Sequence, residues 1–225
     1  MNITLLDGAI GTLLMELSFT PPFEELNLTH PEVITKIHQD YLKAGSEILL
    51  THTFSAHTLA QCVSAWNNIK DLSCQKFISI GPQANTSLVV DYFKDKARLV
   101  FETIYQLEAA KELINNYHSL NPIFSFCMKE SELTEVIYLL QEKKITIVGL
   151  NCLNGLQEVH TLLRLIPQDF EIYLKLNTGS EKLSPVDFAR EVFKLASQFN
   201  ITYLGGCCGT TPAYIQELQK VRGTF

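Results

Sequence analysis

No stretch of the 225-residue sequence approaches the ~20 consecutive apolar residues of a membrane helix, and positions 1–10 lack the basic segment followed by an apolar run that marks a chain for export. These absences lead to the expectation of a cytoplasmic protein. Positive charge is also short: 18 Lys and Arg stand against 24 Asp and Glu, a formal charge of -6. That balance disfavours nucleic acid and anionic membrane as partners and leaves small molecules or proteins. No low-complexity tract or interdomain linker interrupts the chain, and its length suits one core, so residues 1–225 are expected to form one domain. Nor is there a C-x-x-C pair. Adjacent cysteines strain a disulfide, so a redox dithiol built on Cys207 and Cys208 is disfavoured.

What is present is a globular composition, 46% hydrophobic and 19% charged, with short β-rich runs alternating with amphipathic helical segments. Eight strands are expected at 3–6, 48–51, 76–80, 98–101, 123–126, 145–149, 172–176 and 202–204. Helix ends are legible between them. Pro31 suits a first helical position, Val33, Ile34, Ile37 and Tyr41 form one stripe, and Gly45 suits a terminator. Ser184-Pro185 and Thr211-Pro212 read as cap followed by first turn, with Ile215, Leu218 and Val221 on one face of the last helix. This pattern is that of an α/β protein, a small (β/α)8 TIM barrel, with an open doubly wound sheet as the alternative. The third and fourth units are thin, and a helix is expected to be missing between Gln83 and Lys96.

In either architecture chemistry collects just past the strand ends. Asp7, His52, Thr53, Glu102, Cys152, Asn177, Cys207 and Cys208 all fall there. Three thiolates from Cys152, Cys207 and Cys208 suit a borderline-soft ion such as zinc and leave a fourth tetrahedral position open. Gly205, Gly206 and Gly209 give the adjacent pair the backbone freedom to face one ion. Cys62, Cys74 and Cys127 read as packing residues, Cys127 being nearest a strand end. His52 is left outside the metal set, as a hydrogen-bonding histidine. Glu102 closes the apolar run Leu99, Val100 and Phe101, where a carboxylate is costly without a cation.

The segments L-D-G-A-I-G-T, A-G-S-E-I-L-L-T-H-T-F, S-I-G-P, F-E-T, G-L-N-C and G-G-C-C-G-T-T-P together resemble the homocysteine S-methyltransferase family over nearly the whole chain. The first and last look most like the homocysteine-binding module of a cobalamin-dependent member. The resemblance implies a (β/α)8 barrel forming methionine, with Cys152, Cys207 and Cys208 as zinc ligands and catalytic residues. It implies that Asp7 and Glu102 grip the amino acid end of homocysteine, and Thr53 and Asn177 complete the expected substrate set. The expected methyl source is a corrinoid (methylcobalamin) or methylfolate-loaded partner protein. A non-catalytic zinc or homocysteine-binding module and a self-sufficient enzyme using S-methylmethionine or betaine are the alternatives. The sequence departs from the family's pattern at His52, where asparagine is usual, and at L-N-T-G in place of P-N-A-G. The stretches between Phe54 and Ser79 and between Pro82 and Glu102 are shortened relative to the family.

Overall fold

The structure is a computed structural model that describes residues 3–153, 155–179 and 182–223. Among them, strands and helices alternate as β1 (Thr4–Leu5), α1 (Ile10–Glu16), α2 (Leu26–Thr29), α3 (Pro31–Ala44), β2 (Ile48–Leu50), α4 (Leu59–Ile69), β3 (Gln75–Ile80) and α5 (Thr86–Phe93). The second half continues as β4 (Arg98–Ile104), α6 (Leu107–Tyr117), β5 (Ile123–Phe126), α7 (Glu130–Glu142), β6 (Ile147–Asn151), α8 (Leu156–Leu163), β7 (Glu171–Leu176), α9 (Pro185–Ala196), β8 (Ile201–Gly206) and α10 (Pro212–Arg222).

All eight strands run parallel in the order β1-β8-β7-β6-β5-β4-β3-β2. The seam between β1 and β2 is closed by Glu47 N–H donating to Leu5 O at 2.8 Å and Leu50 N–H donating to the Asp7 carboxylate at 2.8 Å. The result is a (β/α)8 barrel, not the open sheet. Alternation along the strands produces two cores. The larger lies between sheet and helices; the smaller fills the barrel with Leu6, Ile48, Leu50, Phe77, Val100 and Tyr173 among its members. Two residues beyond Phe77, Val100 and Tyr173 on the same inward face come Ser79, Glu102 and Lys175, so the apolar filling gives way to polar groups at the carboxyl rim.

The helix termini follow the expected chemistry. Pro31 opens α3, Ile34, Ile37 and Tyr41 are buried with Val33 half-buried, and Gly45 closes the helix at φ 110°. The Ser184 hydroxyl caps α9 by accepting from Asp187 N–H, and Thr58 and Gln61 form a capping box on α4. Thr211 precedes Pro212 at the start of α10 without a side-chain cap; Ile215 and Leu218 are buried there and Val221 is half-buried.

Two expectations are corrected. The helix thought absent between Gln83 and Lys96 is present as α5, capped by Asn85 accepting from Leu88 N–H and anchored by buried Val89, Val90 and Phe93. Glu102 does not follow its strand but lies inside it, because β4 runs on to Ile104 through a register shift between Phe101 and Ile104. Among the described residues no helix is long and apolar enough to cross a membrane.

Candidate functional site

β6 and β8 deliver three sulfurs to one point on the carboxyl rim. The Sγ atoms of Cys152, Cys207 and Cys208 all lie within 4.8 Å of one another, with Cys152 and Cys207 at 2.8 Å, and all are free thiols. Two sulfurs bound to one tetrahedral zinc at about 2.3 Å each stand roughly 3.8 Å apart, so the cluster has the donor set for that ion, and shifts of about 1 Å would bring the sulfurs to its spacing. Cys152 and Cys207 are half-buried and Cys208 is exposed, which leaves the cluster accessible from the rim.

The backbone turn carrying Cys207 and Cys208 is pinned from several sides. Cys207 N–H donates to Leu176 O at 2.7 Å, Thr178 N–H donates to Cys208 O at 3.2 Å, and the Thr210 hydroxyl donates to Cys207 O at 2.7 Å. The glycine frame follows from this crowding: a Cβ on Gly206 would stand 2.2 Å from Thr210 Oγ1, and Gly209 takes φ 83° with Thr178 against it.

Cys152 is held by a different device. It has φ 58°, as does Thr103 on the bulge of β4, a conformation uncommon outside glycine and an outlier for a β-branched residue. Asn151, buried, joins the two: its Oδ1 accepts from Thr103 N–H at 3.0 Å and from the Ser125 hydroxyl at 2.7 Å, and its Nδ2 donates to Thr103 Oγ1 at 2.8 Å. The Thr103 hydroxyl then donates to Cys152 Sγ at 3.7 Å.

The sulfurs share protons unequally. Thiol hydrogen bonds from Cys152 and then Cys207 pull Cys208 down to about 3, against its burial. At Cys207, hydrogen bonds with Cys152 and Cys208 and then burial push the thiol up. At Cys152 the bond from Cys207 lowers the value, but the bond to Cys208 and burial outweigh it. Of the three, the exposed Cys208 is thus the thiol most readily deprotonated.

A second constellation lies deeper in the barrel mouth. Lys175 Nζ stands between Asp7 Oδ1 at 3.4 Å and Glu102 Oε1 at 3.6 Å, and all three side chains are buried. Glu102 also accepts from the Tyr173 hydroxyl at 3.1 Å and the Ser79 hydroxyl at 2.6 Å. Burial pushes the Asp7 carboxyl up to about 6, with Lys175 pulling the other way. Burial would lower the Lys175 ammonium, but the charges of Glu102 and Asp7 more than offset it and hold its pKa above the ordinary lysine range. The cation that Glu102 required is thus the protein's own Lys175. It was missed in the sequence, where a lysine in a strand reads as a charge at the surface.

The remaining candidates divide. Asn177 donates from Nδ2 to Leu153 O at 3.0 Å while its Oδ1 is buried without a hydrogen-bond partner among the described residues. Thr53 is fully buried, and its hydroxyl is engaged by Ser79 O at 2.7 Å and Thr51 Oγ1 at 2.6 Å, which ties β2 to β3. His52 lies apart from the sulfur cluster, buried near His38, and burial lowers it to about 4. Cys62 is buried in the outer core and Cys74 packs against it. Cys127 reaches the rim only to donate to the Cys152 carbonyl at 3.4 Å.

A parallel (β/α)8 barrel with three thiols converging at its carboxyl rim defines a class of barrel whose rim carries the donor set for a metal ion. Within that class, the homocysteine S-methyltransferase family profile matches residues 4–77 and 74–222, and the chain belongs to this family. The two matched segments meet at 74–77, inside the stretch between Phe54 and Ser79 expected to be shortened. The chain is 25% identical over 285 aligned residues to the methionine synthases of Mycobacterium tuberculosis and Mycobacterium leprae, covering 94% of this chain and 24% of each relative. It thus spans about a quarter of their length. In fold it is similar to the homocysteine methyltransferase MmuM from Escherichia coli. The TM-score is 0.70 at 23% identity for the apo form and 0.71 at 21% identity for the metallated form, and both comparisons cover 98% of this chain and 96% of that one.

Proposed function

We propose that this chain methylates the thiol of homocysteine to form methionine, with zinc held by Cys152, Cys207 and Cys208 and the methyl group brought by a corrinoid protein or partner domain. The observation that carries the reading is the convergence of three sulfurs on one rim beside a carboxylate pair that holds a primary ammonium group. The metallated state of MmuM and the methionine synthase names of the relatives agree with it.

Zinc would supply a position that favours a thiolate over a thiol whose free pKa is about 8.5, and so present the nucleophile at neutral pH. The protein's side chains do the rest. Asp7 and Glu102 hold the acceptor's ammonium, with Tyr173 and Ser79 fixing the Glu102 carboxylate. The unpaired Asn177 Oδ1 offers an acceptor at the same rim. In the reaction the acceptor sulfur forms a bond to the methyl carbon, the bond between methyl and donor breaks, and the thiol proton leaves to solvent.

The corrinoid donor accords with coverage: the chain spans only a quarter of each methionine synthase, so a donor carried on a separate protein or domain is compatible with the match. The same coverage favours, as a second reading, an acceptor module that acts within a larger assembly. The test combines metal analysis, X-ray absorption and methionine formation from methylcobalamin, a methyl-corrinoid protein, S-methylmethionine and betaine. One zinc per chain with sulfur-rich coordination, lost in Cys207→Ala and Cys208→Ala, together with turnover from a corrinoid donor, is expected. Full metal and activity in those variants would remove the metal assignment, and turnover from small donors alone would remove the corrinoid assignment.

A further inference from the structure

We infer that Lys175 is the specificity-determining residue for the acceptor's carboxylate: its ammonium stands between Asp7 and Glu102 and exchanges onto the α-carboxylate when the acceptor's own ammonium takes that place. The inference rests on the reading of the acceptor as a thiol amino acid and names the residue that recognises its other charged end.

The argument begins from geometry. A primary ammonium group already stands between the two carboxylates, so the pair has the shape to receive one. Yet Lys175 is held loosely. Its distances of 3.4 and 3.6 Å exceed the roughly 2.7–2.9 Å of a strong charge-assisted hydrogen bond, although the side chain is buried. An ammonium has three donors, and the described ion pairs of Lys175 use two.

Charge counting points the same way. Two carboxylates and one ammonium leave one negative charge in a buried mouth, which favours the arrival of a further cation. An amino acid brings that cation with a carboxylate one carbon away. Seated with its ammonium on Asp7 and Glu102, it would put a third carboxylate beside the first two, and like charges in a buried site repel strongly. A mobile cation at the same point removes the conflict, and Lys175 is the cation that the described ion pairs place there. Its position also suits the sulfur end: β7, which carries Lys175, pairs in the sheet with β6 and β8, whose ends carry Cys152, Cys207 and Cys208. A lysine stem has the rotatable bonds for such a swing, which a shorter cationic side chain would lack.

The test is calorimetry on the zinc-loaded chain with two ligands, L-homocysteine and 3-aminopropanethiol, which keeps the thiol and the ammonium and lacks the carboxylate. Wild-type protein is expected to prefer homocysteine by about 10-fold or more, the worth of one hydrogen bond to a charged group. In Lys175→Met that preference is expected to collapse toward parity, with homocysteine weakened and the decarboxylated ligand unchanged or tightened. A merely structural ion pair would shift both ligands together and leave the ratio intact, and that result overturns the assignment. Should Lys175→Met fail to fold, Lys175→Gln provides the same comparison. Equal affinity of wild-type protein for the two ligands overturns the assignment without any variant. Failure of homocysteine to bind wild-type protein would overturn the acceptor reading itself, and the Lys175 assignment with it.

Discussion

Replacing Asn151 by leucine removes the bracket behind Cys152 while keeping the size of the side chain. Three hydrogen bonds disappear: those from Thr103 N–H at 3.0 Å and Ser125 Oγ at 2.7 Å, and that to Thr103 Oγ1 at 2.8 Å. Asn151 and Ser125 are both buried, so water does not readily replace the lost partners. A buried donor stranded in this way costs about 1–3 kcal/mol. The Ser125 hydroxyl can rotate towards another acceptor, whereas the Thr103 amide, fixed in the backbone, cannot. A loss of about 3 kcal/mol is therefore expected, a large share of the ~5–15 kcal/mol that holds a typical domain folded.

The consequence for the sulfur cluster is separate from stability. Thr103 and Cys152 both occupy positive φ near 58°, which costs an L-residue roughly 1–2 kcal/mol and persists because surrounding bonds impose it. Without Asn151, both residues gain by relaxing to ordinary backbone, and the Cys152 sulfur leaves its place 2.8 Å from Cys207. Outer-shell partners of metal ligands are typically worth about 10–100-fold in metal affinity, and that is the loss expected for Asn151→Leu. Urea unfolding of metal-free protein measures the first effect; zinc competition against a chelator measures the second. Thr103→Val, which keeps the backbone amide bonded to Asn151, is expected to lose metal affinity with a smaller loss of stability. An Asn151→Leu protein with wild-type unfolding midpoint and wild-type zinc affinity would refute the reasoning.

Two further outcomes are expected. Glu102→Gln and Asp7→Asn should each weaken homocysteine binding by about 1.5–3 kcal/mol, the range for hydrogen bonds to charged groups, while zinc content stays at one per chain; calorimetry on metal-loaded variants checks this, and unchanged affinity in both would move the acceptor pocket elsewhere. His38, fully buried with both ring nitrogens lacking hydrogen-bond partners among the described residues, is lowered by burial, and then by His52, from 6.5 to about 3. A base with a depressed folded pKa stabilises above its unfolded pKa and loses that contribution as pH falls, so wild-type stability relative to His38→Leu should drop by about 3 kcal/mol between pH 7 and 4, at about 1.4 kcal/mol per unit. Parallel pH profiles for the two proteins would show that His38 is not neutral in the fold.

The eight strands were legible because each is a short apolar run bounded by polar turns, and Pro31, Gly45, Ser184, Pro185 and Pro212 sit where proline, glycine and serine chemistry places them, whereas Thr211 stands before α10 without capping it. The sulfur cluster was legible because two adjacent cysteines in a glycine frame have no packing use. α5 escaped because its sequence, T-S-L-V-V-D-Y-F, is rich in β-branched and aromatic residues that lose side-chain freedom in a helix; burial of Val89, Val90 and Phe93 overrides that preference. The end of β4 escaped because a bulge leaves no mark in hydrophobic alternation: Glu102 and Thr103 look like a loop and are a strand.

Lys175 escaped for a deeper reason, which bears on how the two halves of the site are joined. A lysine in β7 reads as one more residue with its charge at the surface, since an isolated lysine is rarely buried. Its burial makes sense only once Asp7 and Glu102, from β1's end and from β4, are known to face it across the barrel. The same holds for its neighbours in the ladder. Lys175 pairs with Asn151 on one side and Gly205 on the other, and a Cβ on Gly205 would stand 2.6 Å from Asp7 O and from Leu6 Cβ. Gly205 thus permits the close approach of β8 to β1 that brings Asp7 to the mouth, while Asn151 holds the cysteine that follows it. One ladder step therefore links the ion triad to the sulfur cluster, and a shift of β7 by a single residue would turn Lys175 out of the barrel and disconnect both.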